Sequence, residues 1–513
     1  MGILYVLGHI SKILLGLLLH VILLPIAVPI LLIFWIISRM VKLHLWLWYG
    51  GKTYKTKGMD ALWGLETEQS RPVITILMTL SGQPDVDKVR RCISEKVLDV
   101  QDASGVYKYR KLRQLFLRRF GYYVWQDHDD FHVNNHVTKL QLEESEGSDW
   151  ASQVSEYISN AETDTLVKGL PPWHITLLHT GNSPFDRYNL VILLHHAIAD
   201  GVSLVRVLLE SFVDMPIEPT IPPNPTINNF IRALTRVWAF VVLPVGMLKI
   251  IANYDKNTLH GPKLSGKKVV VWSQGLPLDL VRQVKTAANA TVNDVLMTCL
   301  AAAMAKKFTE RGESVGRIST VIPVSFHRRR GAARLNNKFS CGIVKLYTKS
   351  SLTAKERLVL TKRVFDGYKR DPTLTAIYWT TAAVSDVLPA TLAEMLFTAK
   401  GVSLVASNTP GPQQKMSIWG DTVEDVIFWV PNRAPSGVGI SLFSYNGVIK
   451  AGLNVDSALM ATKEEGAALL QEMESEVYVL QRELLTGVQG GSQADSLAPE
   501  EQQGRIHRVK VSG

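Results

Sequence analysis

Leu14 to Ile37 is apolar at every position except His20. As a helix this run would be roughly 36 Å long, enough to cross the hydrocarbon of a bilayer with some tilt. It is too long for a signal-peptide core, and no small-residue cleavage site follows it. Pro25 and Pro29 lie inside the run, so a kink or a re-entrant hairpin is expected. Trp35, Trp46, Trp48 and Tyr49 suit an interfacial belt. Lys12 alone precedes the run, whereas Arg39, Lys42, Lys52, Lys55 and Lys57 follow it, which places the bulk of the chain on the cytosolic side. The competing reading is a buried core helix. A second apolar stretch, Val237 to Leu248, is too short to span. It suits a helix that lies between the two halves or dips into the membrane face, or equally a plain buried helix.

The remainder is long enough for two domains. Val73–Met78, Tyr188–Leu194, Val269–Trp272, Arg317–Val324 and Val438–Phe443 read as strands. Asp85–Val100, Val202–Val213 and Thr291–Phe308 read as helices, the last opened by a Thr-x-x-Asp cap. The expected organisation is a membrane anchor over 1–57, an α/β lobe over 58–215 and a linker with its apolar helix over 216–265. A second α/β lobe follows over 266–486, and a Gly/Gln/Ser/Glu-rich tail without structure over 487–513. Cys92, Cys299 and Cys341 are too far apart in sequence for a zinc ribbon or a disulfide framework, which points to a reducing compartment. The net charge of +10 fits an anionic membrane or an anionic small substrate. No nucleic-acid motif accompanies it, so a nucleic-acid partner is not expected.

Chemistry concentrates at the end of the strand Tyr188–Leu194. Its nearly continuous apolar run implies burial on both faces. It delivers His195 and His196, followed by Asp200 and Gly201 before a helix. These four residues at this spacing would arise by chance on the order of once in a thousand such chains. His196 suits general-base catalysis: it would take the proton of an alcohol, and the alkoxide would attack a thioester directly. No Gly-x-Ser-x-Gly elbow offers a covalent alternative. Asp200 would hold the loop through a cation or backbone N–H groups, and Gly201 would leave room for a thin pantetheine arm. A His-x-x-x-Asp metal site and a structural hydrogen-bonded pair are competing readings, but no third metal ligand is evident and no metal is expected.

His195-His196-x-x-x-Asp200-Gly201 resembles the active-site motif of the wax ester synthase/diacylglycerol acyltransferase family, within the chloramphenicol acetyltransferase-like acyltransferases. Other segments agree in order: Met59–Glu66, Pro171-Pro172-Trp173 (with Pro172 where the family has Leu), Ala290–Val295, Pro323-Val324-Ser325, Asn336–Phe339, Ser407–Pro412 and Gly437–Gly447. The resemblance covers residues 58 to 485. It implies two chloramphenicol acetyltransferase-like α/β lobes with a channel between them and His196 mid-channel. Acyl-CoA would enter as co-substrate, with no further cofactor, and a fatty alcohol or diacylglycerol would accept the acyl group. The N-terminal apolar segment is extra to the minimal bacterial pattern and suggests a eukaryotic form held in the endoplasmic reticulum membrane among its lipids, lobes in the cytosol. Asn293 is the expected oxyanion donor, worth about 3 kcal/mol, against the alternative that it caps its helix. Glu66, Asp294 and the run Arg328-Arg329-Arg330, with Arg334, are candidate substrate-binding positions. The arginines, like Lys108, Arg110, Lys111, Arg113, Arg118 and Arg119, could equally form a solvated or membrane-facing patch. Acyltransferases for short acyl groups or sterols, and a catalytically silent lipid-binding protein, are the alternative functions.

Overall fold

The computed structural model describes residues 2–494 apart from 68, 144–148, 165, 181–186, 218–227, 328–331, 398–400 and 433–434. The first half comprises α1 (Gly2–Tyr49), β1 (Thr53–Lys55), α2 (Met59–Leu62), β2 (Val73–Ser81), α3 (Val86–Ile93), β3 (Gln114–Arg119), β4 (Tyr122–Asp127), β5 (Val137–Leu142), α4 (Trp150–Thr163), β6 (Trp173–Thr180), β7 (Arg187–His195), α5 (Gly201–Val207) and α6 (Asn229–Ile251). Next come β8 (Lys268–Trp272), β9 (Leu276–Pro277), α7 (Leu278–Ala287), α8 (Val292–Glu310), β10 (Arg317–Ser325), β11 (Phe339–Tyr347), α9 (Ala354–Lys369), α10 (Thr373–Val387) and α11 (Ala390–Phe397). The chain closes with β12 (Leu404–Pro410), β13 (Ser417–Ile418), β14 (Asp421–Trp429), β15 (Val438–Tyr445), β16 (Val448–Asp456) and α12 (Lys463–Ala494).

Among the described residues, two large mixed sheets form two α/β lobes. One runs β13-β14-β2-β7-β6-β5, the other β11-β10-β12-β15-β16-β8 with β9 at its edge. The strands expected from apolar runs are present, each slightly longer. The helices expected over 85–100 and 202–213 both change pitch, ending in π turns at Ser94–Leu98 and Leu208–Phe212. The lobes are not separable at the linker. β14, far downstream of it, pairs antiparallel with β2 and so completes the sheet of the first lobe.

The N-terminal boundary also differs from expectation. β1 pairs with β4, and Lys55 is buried beside Asp386, so residues 53–55 belong to the body rather than to a detachable anchor. Lys42 joins the same carboxylate at 3.3 Å and Lys52 pairs with Asp129 at 2.9 Å, so three of the five cations counted after the apolar run are engaged within the protein. α1 is one continuous helix with Pro25 and Pro29 inside it, and no re-entrant hairpin forms. Its 48 residues span roughly 72 Å, more than twice a bilayer core. Leu31 and Phe34 pack on Met59, Leu62 and Ala393, and Val41 and Leu45 pack on Tyr122 and Val124. Trp46 and Trp48 stay exposed, as do most residues from Leu14 to Ile30.

α6 extends well beyond the expected stretch. It crosses α1 where a Cβ on Gly16 would collide with the Val241 carbonyl. Ala239 and Leu243 pack against Ala376 of α10, while Val237 and Ile251 remain exposed, so the plain buried helix is not what forms. By length and composition, α1 over Ile10–Tyr49 and α6 over Ala233–Ile251 could each cross a membrane. At the other end, α12 continues through 487–494, part of the tail expected to lack structure; 495–513 lie outside the described residues.

Candidate active site

β7 lies inside its sheet between β2 and β6. Burial on both faces makes it a rigid support; Tyr188, Leu190 and Val191 are each about 1% exposed. Its end is clamped by two prolines: the His195 N–H donates to the Pro172 carbonyl at 3.0 Å and the His196 N–H to the Pro72 carbonyl at 2.6 Å. Pro172 of Pro171-Pro172-Trp173 therefore serves the histidine turn directly.

The His196 ring lies against Trp63, centroids 3.8 Å apart and planes 12° apart. Its Nδ1 is 2.9 Å from Asn337 Oδ1. The orientation of that amide is fixed, because Asn337 Nδ2 donates to Asp60 Oδ1 at 2.9 Å and to the His196 carbonyl at 2.8 Å. Oδ1 must then accept, so His196 carries its proton on Nδ1 and presents a bare Nε2. Asp60 is held by Lys111 at 2.6 Å, and Lys111 also donates to the Ile198 carbonyl at 2.9 Å. Burial pushes the His196 pKa down to about 4, outweighing the opposing pull of Asp200 and the Asn337 hydrogen bond. The imidazole is thus neutral near pH 7.

Asp200 takes a structural place. It caps α5 by accepting from the Ser203 N–H at 2.8 Å, accepts from the Lys338 N–H at 2.8 Å, and meets His327 Nε2 at 2.8 Å. Burial raises its carboxyl, but His327 and these N–H donors outweigh that and hold it below the usual range. It joins the two lobes without touching the His196 ring through any of these bonds. His195 Nε2 lies 2.6 Å from Glu66, and its Nδ1 accepts from the Ala197 N–H at 3.1 Å. Glu66 thus meets His195 rather than the base. Burial raises its carboxyl, and the His195 hydrogen bond and charge with Arg71 bring it below the usual value.

His196, Trp63, Asp200 and Gly201 line a cavity of about 450 Å³ between the lobes, with Ser407, Asn408 and Thr409 opposite. An apolar chamber of about 130 Å³ inside the first lobe adjoins it, sharing Ile74, Gly201, Val205, Thr409 and Phe428. Both π turns reach that chamber, through Val97, Leu208 and Phe212.

Two expected residues, Asn293 and Asp294, fall elsewhere. Asn293 does not line the cavity; its Oδ1 meets the Nδ2 of Asn408, which does, at 3.4 Å. Nor does it cap α8, since Thr291 and Asp294 form a reciprocal capping box. That box consumes Asp294, which is 1% exposed and so is corrected from substrate binding to helix capping. Arg328, Arg329 and Arg330 lie outside the described residues. The basic cluster around residue 110 is mostly internally paired, Lys108 with Glu210, Arg110 with Asp127 and Arg113 with Asp99. Sequence reasoning missed Asp60, Lys111, Asn337 and His327 as site residues. Asp60 and Asn337 do sit inside quoted motifs, which was the available signal.

Comparison with known proteins agrees with this geometry. Residues 61–258 match the wax ester synthase/diacylglycerol acyltransferase catalytic domain, and residues 335–478 match the C-terminal domain of the same family. A Mycobacterium tuberculosis protein named a probable diacylglycerol O-acyltransferase is 25% identical over 391 residues, 68% of this chain and 80% of that protein. The wax ester synthase/diacylglycerol acyltransferase of Marinobacter aquaeolei VT8 superposes with a TM-score of 0.58 at 20% identity, covering 84% of this chain and 99% of that one. The trichothecene 15-O-acetyltransferase of Fusarium sporotrichioides shares the fold, with a TM-score of 0.56 at 12% identity over 83% of this chain and 95% of that one. Two family domains in order, on a two-lobed fold with its histidine turn at the interface, identify the chain as a member of the wax ester synthase/diacylglycerol acyltransferase family, an O-acyltransferase.

Proposed function

We propose that this chain moves a long-chain acyl group from acyl-CoA to a fatty alcohol or diacylglycerol in one step, with His196 as general base. The observation that carries this reading is the fixed Nδ1–H tautomer, with Nε2 free of any hydrogen-bond partner among the described residues on a ring that lines the cavity. Nε2 takes the acceptor's hydroxyl proton as the alkoxide oxygen attacks the thioester carbonyl. The C–S bond then breaks, and His196 returns the proton to the CoA thiolate. A base kept neutral at working pH is ready before substrate arrives.

Gly201 borders both cavities, and a Cβ there would meet Thr409 Oγ1 at 3.9 Å, an ordinary contact that would narrow the passage without a clash. The adjoining chamber, almost wholly apolar, suits the acyl chain. Asn408, steadied by Asn293, is placed to donate to the tetrahedral oxygen. Acyl-CoA is the co-substrate and no further cofactor enters. The exposed apolar length of α1 supports a membrane-held enzyme. We place it in the endoplasmic reticulum with its lobes in the cytosol, where acyl-CoA is available.

The test is transfer from palmitoyl-CoA to hexadecanol, diacylglycerol and cholesterol in parallel, by full-length protein and by His196→Ala. Ester formation with the first two and its abolition in the variant are expected. More than a few per cent of activity left in His196→Ala would reject His196 as the base.

A further inference from the structure

The wall of the catalytic cavity is not all core. Met247 and Ile250 of α6, Ile377 and Tyr378 of α10, and Leu396 of α11 line the same space as His196. About a quarter-turn round from these lining residues, the same helices expose apolar side chains, with Lys249 among them on α6. Val237 and Ile251 of α6 are 63% and 75% exposed, Trp379 of α10 54%, and Met395 of α11 74%. Leu396 does both at once: it lines the cavity and is 60% exposed, which marks the mouth.

This outer face is continuous with α1. The helix packs on α6 at Gly16, and its Phe34 packs in the cluster holding Ala390 and Ala393 of α11. A contiguous apolar surface of this extent is unfavourable against water and suits a lipid surface. Its flank has the arrangement of a membrane interface, with Arg236 over the Trp379 ring at 5.7 Å and Arg39 over Trp35 at 5.0 Å.

We infer that the cavity opens sideways into the bilayer between α6, α10 and α11, and that the lipid alcohol reaches His196 through this mouth without passing through water. The inference rests on the acyltransferase reading. It deepens that reading by assigning the acceptor's route, since an alcohol with one or two long chains resides in the membrane already. Acyl-CoA, with its charged head, must come in from another side.

Full-length protein in phosphatidylcholine vesicles provides the test. Met395→Arg places a charge on the outer face beside the mouth without altering a cavity residue. Leu140→Arg, at a 39% exposed leucine on β5, is the control. Opposed insertion of the mouth should raise the apparent KM for hexadecanol carried in the bilayer roughly tenfold or more. Turnover of water-borne hexanol should change less than twofold, and the control should alter neither. Equal loss on both alcohols, or no loss on hexadecanol, would overturn the route.

A second readout needs no activity. A fluorophore on Leu396→Cys, with Cys92 and Cys341 replaced by serine, should be quenched by brominated lipid and shielded from aqueous iodide; the reverse pattern would overturn the proposal. If wild type transfers to no alcohol at all while lipid still quenches the probe, the acyltransferase reading fails and the membrane mouth stands.

Discussion

Replacing Asn337 by Asp tests whether this side chain positions the base or merely fills space. In the wild type, burial keeps the His196 pKa at about 4, and the partner of Nδ1 is a neutral amide oxygen 2.9 Å away. A carboxylate there retains the acceptor but adds a charge that favours imidazolium, an effect of about one to three units at such range. The protonation midpoint should rise from about 4 to between about 5 and 7. The new carboxylate would face Asp60 where Nδ2 now donates at 2.9 Å, and Lys111, 2.6 Å from Asp60, offsets part of that repulsion. A protonated ring cannot accept the alcohol's proton, so the acid limb of kcat/KM moves up with the midpoint. Near pH 5 the variant should have lost about half of its activity or more while wild type keeps about nine-tenths. Asn337→Ala removes the acceptor altogether, freeing the tautomer and the ring; a loss of about 100-fold in kcat with little change in KM for acyl-CoA is expected. Thiol release from palmitoyl-CoA with hexadecanol, followed from pH 4.5 to 9, reads both. An Asn337→Asp profile identical to wild type, with Asn337→Ala losing activity only in proportion to folded protein, would refute the positioning argument.

Other outcomes follow from the same geometry. Asp200→Asn weakens the buried contact with His327 that joins the lobes, so stability should fall by on the order of 3 kcal/mol, and the acid limb set by His196 should move to lower pH because the charge that favours its imidazolium is gone; an unchanged melting temperature would contradict this. His196 and His136 are both held down to about 4 by burial. Their unfolded value is about 6.5, so the unfolded chain binds these protons first and stability falls as pH drops from about 6.5 toward 4, by up to about 1.4 kcal/mol per unit for each ring. Melting curves that stay flat across this window in wild type, or that are unaffected when His136 is replaced, would count against it. Transfer should pass through a ternary complex, because Ser203, the serine nearest the histidine turn in sequence, already donates to the Asn336 carbonyl at 2.8 Å; initial-rate plots should intersect, and stoichiometric labelling of the protein by acyl-CoA alone would exclude a direct step.

Much of the architecture was legible because it is local. The run from Tyr188 to Leu194 is apolar enough to be only a buried strand, and the turn that follows it carries its own histidines and its own cap, Asp200. Thr291 and Asp294 mark the start of α8 three residues apart, and the structure uses both. The crossing of β14 into the first lobe was not legible. An apolar strand shows that it wants a neighbour, not which sheet supplies one, and pairing with β2 is a long-range choice. For the same reason a division into lobes by sequence order misplaces the strand that ties them together. Likewise β1 holds only three residues, too few for a periodic signal, so the body's edge looked like the end of an anchor.

The site divides along the same line. A motif of consecutive residues reveals the atom that reacts, since His196 and its turn travel together in the chain. The state of that atom depends on Asp60, Lys111 and Asn337, which share no spacing with it or with one another. Asn337 enters from the second half of the chain and bonds both the ring and the carbonyl of His196, which belongs to the first. Asp200 makes the reverse connection, from the first half to the Lys338 N–H and His327. The base therefore acquires its tautomer only when the lobes close on each other, and β14 secures that closure. An isolated first lobe would keep the histidine motif intact and still lack a correctly presented Nε2, so complementation by the separately expressed second half should restore activity only to the extent that β14 regains its place beside β2.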